Sequence, residues 1–183
     1  MCGFSQAYVY SFESPKVFDK LKLSADAPER NAIRISNPLG EDFSVMKTMS
    51  LNEMLTSLPP NYIRRNPEVK LYELGNIYVP ESLPLTDYRD ERMQFTLGFY
   101  GKGDFFSMKG AVEEFFNAVG MKNKREYDPK AGKPFLHPGR QALVKYEGVT
   151  VGYLGEVHPA VCAAYDIKTR VYVAVIDMPA VME

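Results

Sequence analysis

With 183 residues, the chain is long enough for one domain that buries roughly 70% of the surface its unfolded form would expose. A content of 45% hydrophobic and 25% charged residues excludes a disordered tail, and 22 basic against 23 acidic residues exclude the strong positive field of a bulk nucleic-acid binder. Cys2 and Cys162 lie at opposite ends, giving neither a disulfide framework nor a zinc pattern, and are read as reduced thiols.

No basic region followed by an apolar run opens the chain, and no apolar stretch approaches the ~20 residues that cross a bilayer. A cytoplasmic protein with no membrane partner is expected. Residues 6–12, with Tyr8, Val9 and Tyr10, read as a strand. Ser14-Pro15 then opens a helix with Val17, Phe18 and Leu21 on one face, and residues 24–31 form a polar loop. Ala32 to Ile35 alternate as a short strand that Asn37-Pro38 ends.

Ser50 and Glu53 have the spacing of a capping box, followed by the apolar stripe Leu51, Met54, Leu55 and Leu58. Pro59-Pro60 predicts a kink or restart of that helix. Residues 69–79 are apolar on both faces and read as a central strand. A second strand covers 92–100. Asp104 then caps a helix with Phe105, Met108, Ala111, Val112, Phe115, Phe116 and Val119 at helical spacing, closed by Gly120. A hairpin turns at Glu147-Gly148 between 141–146 and 149–154, a short helix follows His158-Pro159, and a last strand covers 170–177. Strands returning through turns, with helices interspersed irregularly, indicate an α+β fold on a mainly antiparallel sheet.

Three blocks stand out in order. They are Asn37-Pro38-Leu39-Gly40-Glu41-Asp42-Phe43-Ser44-Val45-Met46-Lys47-Thr48, then Val69-Lys70-Leu71-Tyr72-Glu73-Leu74-Gly75, then Phe135-Leu136-His137-Pro138-Gly139-Arg140 with Gly152-Tyr153-Leu154-Gly155-Glu156-Val157-His158-Pro159. Together they resemble the signatures of the phenylalanine-tRNA ligase beta subunit, in its inactive class II core-like domain, and span most of the chain. The resemblance implies a fold like a class II aminoacyl-tRNA synthetase core, with residues 1–183 as a single domain cut from a longer beta chain. It implies a scaffold role beside a catalytic alpha subunit in a heterotetramer of two alpha and two beta chains. ATP and magnesium then belong to the whole enzyme and not to this segment. Transfer RNA is met through the whole enzyme, with weak or no binding here, because editing and anticodon binding reside in other beta-chain domains.

Site residues follow from the same likeness. Glu73 matches the Glu of the second class II motif, but Leu71 replaces the Arg that contacts ATP phosphate, and Leu supplies neither charge nor hydrogen bonds. No catalytic, cofactor or metal residue is therefore assigned. Asn37, Pro38, Asp42, Lys47, Thr48, Glu73, Gly75, His137, Pro138, Gly155, Glu156 and His158 are read as structural members of the motifs. The contact with the alpha subunit is expected in the first-motif region, through Met46, Met49, Leu51, Met54, Leu55 and Leu58, an adaptable apolar set. Two other classes compete. A stand-alone acyl-adenylate-forming relative would need Arg64, Arg65 or Arg140 to replace the missing arginine, and an RNA-binding module would use the basic run Lys122 to Arg125.

Overall fold

The computed structural model describes residues 2–83 and 90–182. Among these, seven strands lie side by side in the order β1 (Ser5–Gln6), β4 (Val69–Val79), β5 (Asp90–Tyr100), β9 (Val171–Asp177), β8 (Val149–Val157), β7 (Leu136–Tyr146) and β6 (Arg125–Asp128). All neighbours run antiparallel except β1 with β4. A separate ribbon pairs β2 (Phe12–Glu13) with β3 (Val45–Met46). This is the α+β, mainly antiparallel architecture that the sequence predicts.

Both faces of the sheet are covered, because successive side chains of a strand point to opposite sides. On β9, Val171 and Val173 face one apolar cluster, whereas Tyr172, Ala174 and Ile176 face the other. The helix α4 (Phe105–Ala118) lays Met108, Val112 and Phe116 on the second face. Against the first face pack α1 (Val17–Lys20), α2 (Leu51–Ser57) and α5 (Pro159–Ala164), through Phe18, Leu51, Leu55 and Val161. Asp104 caps α4 as its spacing predicts: its carboxylate accepts from the Ser107 N–H at 2.9 Å, and Ser107 Oγ accepts in return from the Asp104 N–H at 3.2 Å. Glu147 and Gly148 both adopt positive φ, 50° and 82°, the backbone a two-residue hairpin between β7 and β8 requires.

Several elements differ from the sequence reading. The strand expected over 6–12 is split into β1 and β2, because residues 7–11 cross from the main sheet to the ribbon and pair with neither along their length. The helix expected from Ser14-Pro15 is one turn, and Ser14 Oγ accepts only a weak 3.3 Å bond from the Lys16 N–H. β4 is less central than its composition suggests, since only two of its residues pair with β1 on its outer side and Leu74 is exposed. The capping box at Ser50 and Glu53 does not form. Ser50 has helical backbone angles and turns its hydroxyl into the sheet, to Gln94 Oε1 at 2.8 Å and Thr96 Oγ1 at 2.5 Å. Pro59-Pro60 does restart the helix, as α3 (Pro59–Ile63), with proline in the first turn.

Candidate functional site

The second-motif carboxylate lies at the centre of a buried polar node. Lys47, just beyond β3, is fully enclosed and donates from Nζ to Glu73 Oε1 on β4 at 2.5 Å. Gly75 leaves room for this pair: a Cβ there would lie 2.5 Å from Glu73 Oε1 and 3.3 Å from Lys47 Nζ. Beside it, Asn52 of α2 donates to Glu13 Oε2 at 3.1 Å and to Glu53 Oε1 at 3.1 Å, and accepts from the Tyr165 hydroxyl at 2.6 Å. Glu13 Oε1 and Glu73 Oε2 are buried without a hydrogen-bond partner. Burial, then the charge of Glu53, pushes the Glu13 carboxyl up to about 8, and burial also raises Glu53. The node thus contains one ammonium for three carboxyl groups and ties the β2–β3 ribbon to α2, β4 and the end of α5.

This chemistry does not fit nucleotide phosphate. The only buried cation of the node is held by Glu73, and Leu71 packs against the first-face apolar cluster. Among the described residues, no group of three His, Cys, Asp or Glu side chains is arranged to hold a metal ion. The glutamate of the motif keeps a structural task here, holding Lys47 inside the fold.

The first-motif region divides into an inner and an outer part. Met49, Leu51, Met54, Leu55 and Leu58 are all buried within the chain's own core, and Met46 is half-buried in the ribbon. A partner surface made of these six side chains is therefore corrected: α2 spends its apolar stripe on the sheet. Thr48 is also inside, donating from Oγ1 to the Glu29 carbonyl at 2.6 Å. Asn37, Pro38 and Asp42 lie outside, together with Leu39 and Phe43. Tyr8 and Tyr10, from the irregular segment before β2, are exposed as well. Tyr8 is 89% and Leu39 86% exposed, and Tyr10 meets Phe43 edge-on with ring centroids 5.8 Å apart. Sequence reasoning missed these exposed aromatic side chains because residues 6–12 read as a strand; Tyr8 and Tyr10, two residues apart, were the only signal.

The third block builds the junction of β7, β8 and α5. A Cβ on Gly155 would lie 2.6 Å from the Arg140 carbonyl, so glycine permits the close approach of β8 to β7. Glu156 is buried and accepts from Arg140 at 2.9 Å, with Arg170 at 3.9 Å. His137 precedes Pro138, and its Nδ1 accepts from the Gly139 N–H at 3.1 Å. His158 caps α5, its Nδ1 accepting from Ala160 N–H at 3.0 Å, while Nε2 lies 3.1 Å from Lys22 Nζ. Burial and the Lys22 charge lower its pKa, in keeping with a neutral ring that accepts a backbone proton.

An antiparallel sheet walled by helices on both faces, with the first-motif segment leading into α2 and β4, defines the class of fold. It is that of a class II aminoacyl-tRNA synthetase core. The crystal structure of pyrrolysyl-tRNA synthetase from Desulfitobacterium hafniense matches 98% of this chain and 62% of its own length, with a TM-score of 0.77 at 11% sequence identity. Residues 1–178 match the model of the phenylalanyl-tRNA synthetase beta chain CLM domain, and the chain belongs to that family. The phenylalanine-tRNA ligase beta subunit of Clostridium acetobutylicum is 42% identical over 181 residues, covering 99% of this chain and 23% of the relative. That of Clostridium tetani is 37% identical over 180 residues, covering 96% of this chain and 22% of the relative. The chain thus spans about a quarter of the length of these relatives. Among the described residues no helix is long and apolar enough to cross a membrane.

Proposed function

We propose that this chain is the non-catalytic, core-like domain of a cytoplasmic phenylalanine-tRNA ligase beta subunit, and that it packs against the catalytic alpha subunit in an assembly of two alpha and two beta chains. In this reading alpha carries ATP, magnesium and the aminoacylation chemistry. This domain supplies architecture and binds tRNA weakly or not at all by itself, in line with its near-zero net charge.

The exposed aromatic patch carries the proposal. Tyr10 and Phe43 meet on the outer part of the first-motif region, Tyr8 and Leu39 are exposed in the same two segments, and the buried node holds the ribbon beneath in place. Aromatic clusters rimmed by charged side chains, here Lys16, Glu41 and Asp42, are the usual centre of a protein interface. The name of the relatives, a beta subunit, supplies the partner.

Co-purification with a tagged phenylalanine-tRNA ligase alpha subunit tests it, comparing the natural chain with Tyr10→Asp/Leu39→Asp. Both positions are exposed, so folding is retained, while two charges placed in an apolar contact weaken the complex by at least about a hundredfold. A complex unchanged by the double variant overturns this surface.

A further inference from the structure

At the end of the sheet where β7 and β9 begin and β8 finishes, two cavities of about 560 and 540 Å³ are both lined by Arg140 and Arg170. The first lies against the opening turn of α4, and Phe105, Phe106, Tyr127 and Tyr172 form its aromatic wall. Phe106 is 73% exposed and meets Phe105 edge-on, with ring centroids 5.6 Å apart. The inner face of α4 is already supplied by Met108, Val112 and Phe116, so the outward ring of Phe106 adds nothing to the core.

The charges around the two cavities are unequal. Asp104, Arg140 and Arg170 line the first; His137, Glu156 and Lys168 join the two arginines around the second. Both carboxylates are engaged. Asp104 caps α4, accepting from the Ser107 N–H at 2.9 Å and from its hydroxyl at 3.1 Å. Glu156 is buried and accepts from Arg140 at 2.9 Å, while Arg170 stands 3.9 Å away. The Arg140 and Arg170 side chains remain 42% and 70% exposed, and Lys168 makes no ion pair among the described residues. His137 has its Nδ1 occupied by the Gly139 N–H. Three permanent cations thus face two carboxylates that are already satisfied, in a chain whose net charge is −1.

An exposed aromatic wall beside a local excess of cations selects among partners. A long polyanion is disfavoured, because outside this end the chain has more acidic than basic residues and tight backbone binding needs many phosphate contacts. A small inorganic anion would leave the aromatic wall in water. A peptide that carries a carboxylate next to an aromatic side chain uses both features, since a guanidinium fork accepts a carboxylate in two parallel hydrogen bonds and aromatic rings pack edge-on or offset.

We infer that this end of the sheet docks a short acidic peptide segment of a partner polypeptide, with an aromatic side chain against Phe106 and an adjacent carboxylate on Arg170 and Lys168. The surface shares no residue with the alpha-subunit contact proposed above, so the two readings stand or fall separately.

Nuclear magnetic resonance of the nitrogen-15-labelled chain tests it, by titration at low salt with the blocked peptide Gly-Asp-Phe-Glu-Gly to about 5 mM, a range suited to a small interface. Three further ligands are compared: the same peptide with both acids replaced by lysine, the same peptide with its Phe replaced by alanine, and decauridylate. Saturable shifts are expected at the amides of Phe106, Arg140 and Arg170 with the first peptide, weakening several-fold between about 0.05 and 0.5 M salt. Phe106→Ala and Arg170→Gln alter exposed side chains and should leave the melting temperature of the free chain unchanged. Each should weaken the first peptide by about threefold to tenfold. No saturable shift at these amides, or unchanged binding in both variants, overturns the site. Equal binding of the lysine peptide overturns the charge recognition, and equal binding of the alanine peptide overturns the aromatic contact. Decauridylate binding more tightly than the peptide at the same amides overturns the peptide in favour of nucleic acid.

Discussion

Glu13 ends β2 with its carboxyl enclosed by Asn52, Glu53 and Lys47, and a pKa of about 8 means that it carries its proton in the folded chain at neutral pH. Unfolded, the same group titrates at 4.5, so between these values the folded state binds the extra proton. The contribution of Glu13 to stability is therefore fully present below 4.5 and is lost as pH rises toward 8. For a single proton the slope is about 1.4 kcal/mol per pH unit. Glu13→Gln keeps an acceptor for Asn52 and cannot ionise. Chemical denaturation at pH 5.5 and 8.5 should find the stability of the variant relative to the natural chain markedly greater at the higher pH. Parallel profiles for the two proteins would mean that Glu13 is ionised inside the fold. Lys47 and Glu73 stand in a different relation: a matched buried pair whose value lies in what its breakage leaves behind, an unpaired charge costing about 3–5 kcal/mol.

At the scale of elements, α2 reaches the sheet only because β5 has a glycine beneath it. A Cβ on Gly98 would stand 2.6 Å from both Cγ and Sδ of Met54, which is itself fully buried. In an unconstrained strand Gly→Ala stabilises slightly by restricting the unfolded chain. Here the overpacking should dominate, and Gly98→Ala should lower stability by about 1–3 kcal/mol in urea denaturation. Met54→Ala in the same chain should recover part of the loss, which an independent effect of the two sites would not produce. The long elements were legible because their signals are local: the Asp104 cap and apolar period of α4, the Glu147-Gly148 turn, the alternation of β9. Where tertiary contacts compete with a local signal, the sequence misleads. Ser50 has the position and spacing of a cap, yet its hydroxyl bonds across the sheet to Gln94 and Thr96. Residues 6–12 have strand composition, yet cross between two sheets and leave Tyr8 and Tyr10 in solvent. The same limit applies to the sites. Motif order reveals Lys47 and Glu73, but Glu13, Asn52 and Tyr165 join them only through packing, and no spacing announces that Phe106, Arg140 and Arg170 line one cavity.

At the scale of the whole molecule, the described residues form two apolar clusters, and these lie on opposite faces of the same strands. Leu97 and Phe99 of β5 belong to the α4 side, while Met54 and Leu58 of the other side meet the same strand at Gly98. β9 contributes to both clusters in strict alternation. Unfolding either layer would expose one face of a sheet whose ladder hydrogen bonds depend on the other, so neither layer has a strand set of its own with which to persist. One cooperative transition is expected, because the two layers share their strands. The chain has 12 tyrosines and no tryptophan, which makes tyrosine fluorescence a probe of packing, and far-ultraviolet circular dichroism reports the backbone. The two curves should coincide in urea. Leu55→Ala on one face and Val112→Ala on the other should each move the entire curve to lower denaturant without splitting it, by about 2–5 kcal/mol for the leucine. A transition that divides in either variant would mean that the two faces fold as separate units, and the sheet would then have to be regarded as two half-sheets meeting at β5 and β9.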